Sequence, residues 1–234
     1  MTDRIVALVP MRHSSERVPG KNYRQLAGRP LFHHIVRTLL EVDAVCEVVI
    51  DTDSPRITAD VTESFPEVTV IPRPSDLLGG EVPMNAVLAH DVTQVSGDLF
   101  LQTHSTNPLL TSATIARAIE AFLGARDGHD SLFGVTALQT RLWTADGRAL
   151  NHDPRVLLRT QDLPPVYEEN SCMYLFDPDT LLRTKNRIGQ RPLLYPIDRH
   201  EALDIDDEHD WEVVAALLAS RTEPTAAVRE GLVA

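Results

Sequence analysis

Short apolar runs recur along this chain at intervals filled by amphipathic segments, and that alternation restricts the possible folds more than any other feature. Runs at 4–9, 46–51, 68–71, 98–103, 131–137 and 171–176 read as strands. Their spacing suits βαβ units and predicts an α/β fold, a mostly parallel sheet covered on both faces. Between them Leu31, Ile35, Val36, Leu39 and Leu40 mark one amphipathic helix, and others fall near 54–64, 83–95 and 111–124. The last of these opens on Thr111-Ser112-Ala113-Thr114, where a hydroxyl can cap free amide groups. A C-terminal helix is expected at about 207–219. The stretch 139–168 breaks the rhythm with Asp146-Gly147, Asp153-Pro154 and Pro164-Pro165. It reads as an inserted arm with a hairpin, of the kind that covers a ligand or a partner subunit. A chain of 234 residues suits one large domain, taken as 1–220, with 221–234 as a C-terminal tail.

Charge is unevenly distributed. Residues 1–40 carry seven Lys or Arg against two acids, while the whole chain has a formal charge of −12. A local basic excess on an acidic protein suggests a site for a polyanionic ligand. The acidic balance argues against nucleic-acid or anionic-membrane binding, which needs a broad basic surface. No apolar stretch approaches the roughly 20 residues needed to span a bilayer. Met1-Thr2-Asp3-Arg4 leads straight into the first strand, so no signal peptide and a cytoplasmic location are expected. Cys46 and Cys172 follow no metal-ligand spacing and read as buried free thiols.

Four constellations can carry chemistry. The first strand opens into Arg12-His13-Ser14-Ser15-Glu16-Arg17-Val18-Pro19-Gly20-Lys21-Asn22, a loop of small residues and cations able to surround a phosphate. It has neither the GxxxxGK[ST] nor the GxGxxG pattern, and by itself it reads equally well as a solvated turn. Near the other end, residues 201–212 hold seven acids and no Lys or Arg. In an extended Leu203-Asp204-Ile205-Asp206, both aspartates share one face and Ile205 turns into the core. Such a pair suits a hard cation such as Mg²⁺, while Asp207, Glu208 and Asp210 suit the first turn of the following helix. The third, Asp51-Thr52-Asp53-Ser54, resembles the nucleophile motif of haloacid-dehalogenase-type phosphatases, but it suits a strand end and helix cap better. The fourth, 100–110, is a buried strand with a polar tip, His104-Ser105-Thr106-Asn107, at the strand end where open α/β sheets bind ligands.

Taken in order, VPMRHSSERVPGKN, the STD-like DTDS, Ile71-Pro72-Arg73-Pro74, STNPLL, ENSCMYLF and LDIDDEHDW resemble the acylneuraminate cytidylyltransferases, across about residues 4–218. The resemblance implies a Rossmann-like, three-layer nucleotide-diphospho-sugar transferase fold, and a homodimer whose inserted arm reaches the neighbouring subunit. It further implies transfer of CMP from CTP to a hydroxyl of a 2-keto sugar acid, with Mg²⁺ and release of pyrophosphate. By position, Arg12 and Lys21 are implied at the CTP phosphates, Asn22 in shaping the loop and Arg73 near the cytosine. Asp204 and Asp206 are implied as Mg²⁺ ligands, Asn170 beside the sugar or nucleotide, and Gln102 or His104 at the sugar. Glu16 stands where the family has Lys, with Arg17 next to it as the displaced cation. His104 and Leu110 replace the Gln and Arg of QPTSPLR, and Glu169 stands where Pro is common. These departures leave open a different sugar acid or hydroxy acid as acceptor. The rival expectations are a phosphatase acting through Asp51 and a nucleotide-binding relative without activity.

Overall fold

The protein is described by a computed structural model covering residues 3–222. In chain order its strands are β1 (Ile5–Leu8), β2 (Gln25–Leu26), β3 (Arg29–Pro30), β4 (Val45–Thr52), β5 (Thr69–Pro72), β6 (Leu99–Thr103), β7 (Ser131–Leu138), β8 (Val166–Phe176) and β9 (Pro192–Pro196). The helices are α1 (Leu31–Leu40), α2 (Pro55–Ser64), α3 (Met84–Gln94), α4 (Ser112–Ala125), α5 (Pro178–Thr184) and α6 (Glu208–Thr222). β2 and β3 form a small hairpin, and the other seven strands form one sheet in the order β5-β4-β1-β6-β8-β7-β9. β1 pairs in parallel with both β4 and β6, and β8 runs antiparallel between β6 and β7. The chain builds outward from β1 to β5, then returns to place β6 on the other side of β1. That reversal opens a crevice beyond the carboxyl ends of β1 and β6.

Strand alternation divides the core between the two sheet faces. Ile5 and Ala7 point to one face, against Phe32, Ile35 and Leu39 of α1 and Ile115, Ile119 and Phe122 of α4. Val6 and Leu8 point to the other, against Leu88 and Val92 of α3. The result is the three-layer architecture expected. A third cluster, Val18, Leu26, Leu31, Leu109, Ile205, Trp211 and Val214, seats α6 against the loops at the crevice. Helix caps fall where the sequence puts them: Thr111 Oγ1 accepts from Thr114 N at 3.2 Å and Ser54 Oγ from Ile57 N at 3.3 Å.

The structure departs from expectation in four places. Residues 166–168 belong to β8, paired with Thr136–Leu138 of β7, so the irregular arm is 139–165. Cys46 is exposed, because the β1–β4 register steps from Ile5↔Val45 to Val6↔Glu47 and leaves it at a bulge. Only Cys172 is a buried thiol. The short elements β2, β3, α5 and β9 carry too little periodicity to stand out in the sequence. The C-terminal helix runs to Thr222, and the expected tail beyond it lies outside the described residues.

A register shift also interrupts the β7–β8 pairing, where Phe133 faces Tyr174 but Val135 faces Glu169. The extra β8 residues bulge around Gly134, and Ser171 takes a left-handed φ of 57°. A Cβ on Gly134 would lie 2.6 Å from Ile197 Cδ1 and 2.7 Å from Asn170 Oδ1. Gly134→Ala should therefore cost about 1–3 kcal/mol through overpacking. A lowered midpoint in urea at unchanged slope checks this, and an unchanged midpoint would show that the bulge has slack.

Candidate active site

The crevice at the β1/β6 switch point is a cleft of about 600 Å³, lined by Arg12, Arg17, Lys21, Asn22, Arg73 and His104 together with Asp204 and Asp206. The loop after β1 supplies its cationic wall. Val9 N and Met11 N still donate to Val49 O and Asp51 O of β4, each at 2.8 Å, so the chain leaves the sheet only at Arg12. It turns at Gly20, whose φ of +66° disfavours a side chain and where a Cβ would lie 2.6 Å from Tyr23 Cε2. Asn22 then ties the loop together. Its Nδ2 donates to Arg12 O at 2.8 Å, and its Oδ1 accepts from Ser105 Oγ at 2.7 Å. One buried amide thus joins the β1 loop to the β6 tip.

The acidic wall comes from the segment before α6. Ile205 is fully buried, and Asp204 and Asp206 face the cleft on either side of it, as strand-like alternation requires. Ile205 N donates to Thr106 O at 2.9 Å, and Lys21 Nζ donates to Ile205 O at 2.7 Å. Arg17 Nη2 reaches Asp206 Oδ1 at 2.7 Å, with Lys21 Nζ 3.9 Å from the same oxygen. The displaced cation of this chain therefore spans the cleft mouth. Asp207 caps α6, accepting from Asp210 N at 3.0 Å, and Glu208 pairs with Arg24, whose guanidinium stacks 4.2 Å above Trp211.

Electrostatics mark the same groups. Burial pushes the pKa of Asp204 above its ordinary value; a hydrogen bond from Thr106 opposes this and the charge of Asp206 adds to it. Asp204 Oδ1 is buried and has no hydrogen-bond partner among the described residues. Burial lowers the pKa of Lys21, against the pull of Asp204 and Asp206. His104 is held down to about 4, chiefly by burial and further by the charges of Arg187 and Lys21, so its imidazole is neutral at physiological pH.

A second cleft, about 420 Å³, lies beyond the carboxylates and is lined by Thr136, Glu168, Glu169, Asn170, Ser171, Arg199 and again by Asp204 and Asp206. Asn170 donates to Thr136 Oγ1 at 3.2 Å on its floor. Of the two residues left open at the strand tip, His104 lines the first cleft. Gln102 lines neither: it is fully buried in β6, accepting from Arg187 Nη1 at 2.8 Å. Asp51 is likewise excluded as an open nucleophile, being 1% exposed and ion-paired with Arg73. Sequence reasoning missed the lip Gly79-Gly80-Glu81-Val82, although a Gly-Gly pair between a strand and Pro83 is a loop signal. It also missed Arg199, which sits in a segment without periodicity.

The fold and the two-walled cleft define an α/β protein of the open-sheet type, with cations on one side of the crevice and paired carboxylates on the other. The chain belongs to the cytidylyltransferase family, whose pattern it matches over residues 6–218. It is 27% identical over 233 residues to the CMP-N,N'-diacetyllegionaminic acid synthase of Legionella pneumophila, covering 94% of this chain and 98% of that one. It is 23% identical to an N-acylneuraminate cytidylyltransferase of Streptococcus agalactiae, matching 88% of this chain and spanning about half (51%) of that protein's length. The fold is shared with CMP:2-keto-3-deoxy-manno-octonic acid synthetase complexed with CTP, at a TM-score of 0.67 and 18% identity over 93% of this chain and 99% of that one.

The raised pKa of Asp204 fixes the sign of a stability effect. A carboxyl that binds its proton more tightly when folded stabilises the fold at low pH, and that contribution is lost as pH rises from the unfolded value through the folded one. Asp204→Asn removes the titration and keeps the shape. The metal-free variant should melt higher than the parent at pH 7, with the gap closing toward pH 4. A lower melting point at pH 7 would show that Asp204 is stabilised as a carboxylate.

Proposed function

We propose that this protein transfers CMP from CTP to a hydroxyl of a 2-keto sugar acid, releasing pyrophosphate. The observation that carries the reading is that Asp204 and Asp206 form a wall common to both clefts. A triphosphate among the cations of the first cleft and an acid in the second meet at these two carboxylates. Relatives named for legionaminic and acylneuraminic acids support the same acceptor class. In this reading Arg12, Arg17 and Lys21 neutralise the phosphates, with Arg17 exchanging Asp206 for a phosphate oxygen. Arg73 lies toward the nucleobase, and His104 and Asn170 bound the acceptor from either cleft. The acceptor hydroxyl is held in line with the α-phosphorus. Its oxygen forms the new P–O bond as the bond to the leaving pyrophosphate breaks, and its proton passes to solvent. Such a reaction asks for positioning and charge neutralisation rather than covalent chemistry from the protein.

Asp204 and Asp206 fit Mg²⁺. They offer oxygen donors at a border where phosphates and water would complete the shell, and Asp204 Oδ1 is buried without a hydrogen-bond partner among the described residues. When bound, the ion supplies charge stabilisation at the α-phosphate. We further propose a homodimer formed through the arm, which exposes Trp143, Leu150, Val156, Leu157 and Leu158. A cytoplasmic location, where CTP is available, accords with this reading, and no described helix is long and apolar enough to cross a membrane.

Incubation with CTP, Mg²⁺ and a panel of 2-keto sugar acids should release pyrophosphate, and chelation should stop it. Orthophosphate release from a phosphomonoester without CTP would contradict the proposal. Arg12→Ala should weaken CTP binding about tenfold or more in calorimetry, since a charge-assisted phosphate contact is lost. Unchanged affinity would remove the loop from the nucleotide site. Sedimentation should give the mass of two chains, and Leu157→Glu with Leu158→Glu should give one; an unchanged mass for that double variant would place the dimer contact elsewhere.

A further inference from the structure

Helix α3 buries Val87, Leu88 and Val92 against the sheet, and on the same stripe it buries an aspartate, Asp91, which is fully inaccessible. An ionisable residue on such a stripe demands a partner. The charge that acts most on Asp91 is that of Asp51, near the end of β4, and no N–H or hydroxyl donor among the described residues reaches either Asp91 oxygen or Asp51 Oδ2. Asp51 in turn accepts from Arg73 Nε, and Arg73 N donates to Thr52 O at 3.0 Å. The Asp51 and Arg73 side chains are 1% and 3% exposed, yet Arg73 contributes to the wall of the first cleft beside Met84 and Val87. The guanidinium that the cleft meets is therefore held from behind by two acids in series.

One carboxylate balances one guanidinium. A second, ionised and equally buried, would be left unpaired, so a proton must lie between the two acids. Burial, with the charge of Asp51 adding to it, pushes Asp91 up to about 8; burial raises Asp51 as well, but there the Arg73 guanidinium opposes it. Asp91 is thus the proton donor and Asp51 the carboxylate at neutral pH. The other charged group acting on this pair is His90 of α3.

We propose that Asp91 is a positioning residue for the nucleotide site: through a hydrogen bond donated to Asp51 it fixes the edge of Arg73 that the first cleft presents to the nucleobase end of CTP. This rests on the reading of that cleft as the CTP site. Loss of the Asp91 proton replaces the hydrogen bond by repulsion and draws Arg73 back between two carboxylates, so CTP affinity falls as pH passes 8. Asn at 91 keeps a donor toward Asp51 and does not titrate, whereas Leu keeps the volume and loses the donor.

Two readouts on the full chain test this. In calorimetry, Asp91→Asn should bind CTP within about twofold of the parent at pH 7 and lack its alkaline loss, while Asp91→Leu should bind about tenfold more weakly at both pH values. In NMR of the free protein, the Arg73 Nε–H signal should shift with a midpoint near pH 8 in the parent and not in Asp91→Asn. The proposal is overturned if Asp91→Asn retains the alkaline loss, or if a folded Asp91→Leu binds CTP like the parent. Should the parent bind no CTP at all, the reading of the cleft fails and the nucleotide half of the proposal with it. The Nε–H titration still decides separately whether Asp91 orients Arg73.

Discussion

The site depends on where Ile205 is held. Its side chain fills the cluster formed by Val18, Leu26, Leu31, Leu109, Trp211 and Val214, its N–H bonds Thr106 O, and its carbonyl receives Lys21 Nζ. Three anchors on one residue bring together the loop after β1, the tip of β6 and the segment before α6. The aspartates on either side of it then have nowhere to point but the cleft. An apolar burial worth about 1.5–3 kcal/mol fixes the position of two charges that would otherwise separate.

Those charges are held at some cost to the fold. Among the described residues, Asp204 has a buried oxygen without a hydrogen-bond partner, and Arg17 and Lys21 are the cations paired with Asp206. Such an arrangement is poorly matched to stability and well matched to a ligand that brings its own cation and its own anions. The buried Asp51–Arg73 pair follows a similar logic at the other end of the cleft, where a cation is kept in place by acids hidden from solvent. The first cleft thus brings together a guanidinium held from behind, the cations Arg12, Arg17 and Lys21, and a carboxylate pair shared with the second cleft.

Much of this was legible in the sequence because it rests on periodicity. The six expected strands and five expected helices all occur, since apolar runs buried on both faces and stripes at helical spacing are local signals. The Asp204-Ile205-Asp206 alternation was legible for the same reason, as was the place of Glu208 and Asp210 in the first turn of α6, while Asp207, expected in that turn, precedes it. What was not legible depends on chain reversal and register. The exposure of Cys46 comes from a one-residue bulge, the burial of Gln102 from the covering of β6 on both faces, and the second cleft from a bulge in β8 that Gly134 permits. Arg199 and Arg187 belong to stretches near the short strand β9, which no pattern announced. The phosphatase alternative failed for a tertiary reason as well: the aspartate of DTDS is covered by Arg73 and α3.

The most direct test of the account is a crystal structure with CTP and Mg²⁺. The account predicts the triphosphate against Arg12, Arg17 and Lys21, the ion on Asp204 and Asp206, the base toward Arg73, and the α-phosphorus open to the second cleft. A triphosphate bound away from Asp204 and Asp206, or one whose α-phosphorus faces away from the second cleft, would contradict it.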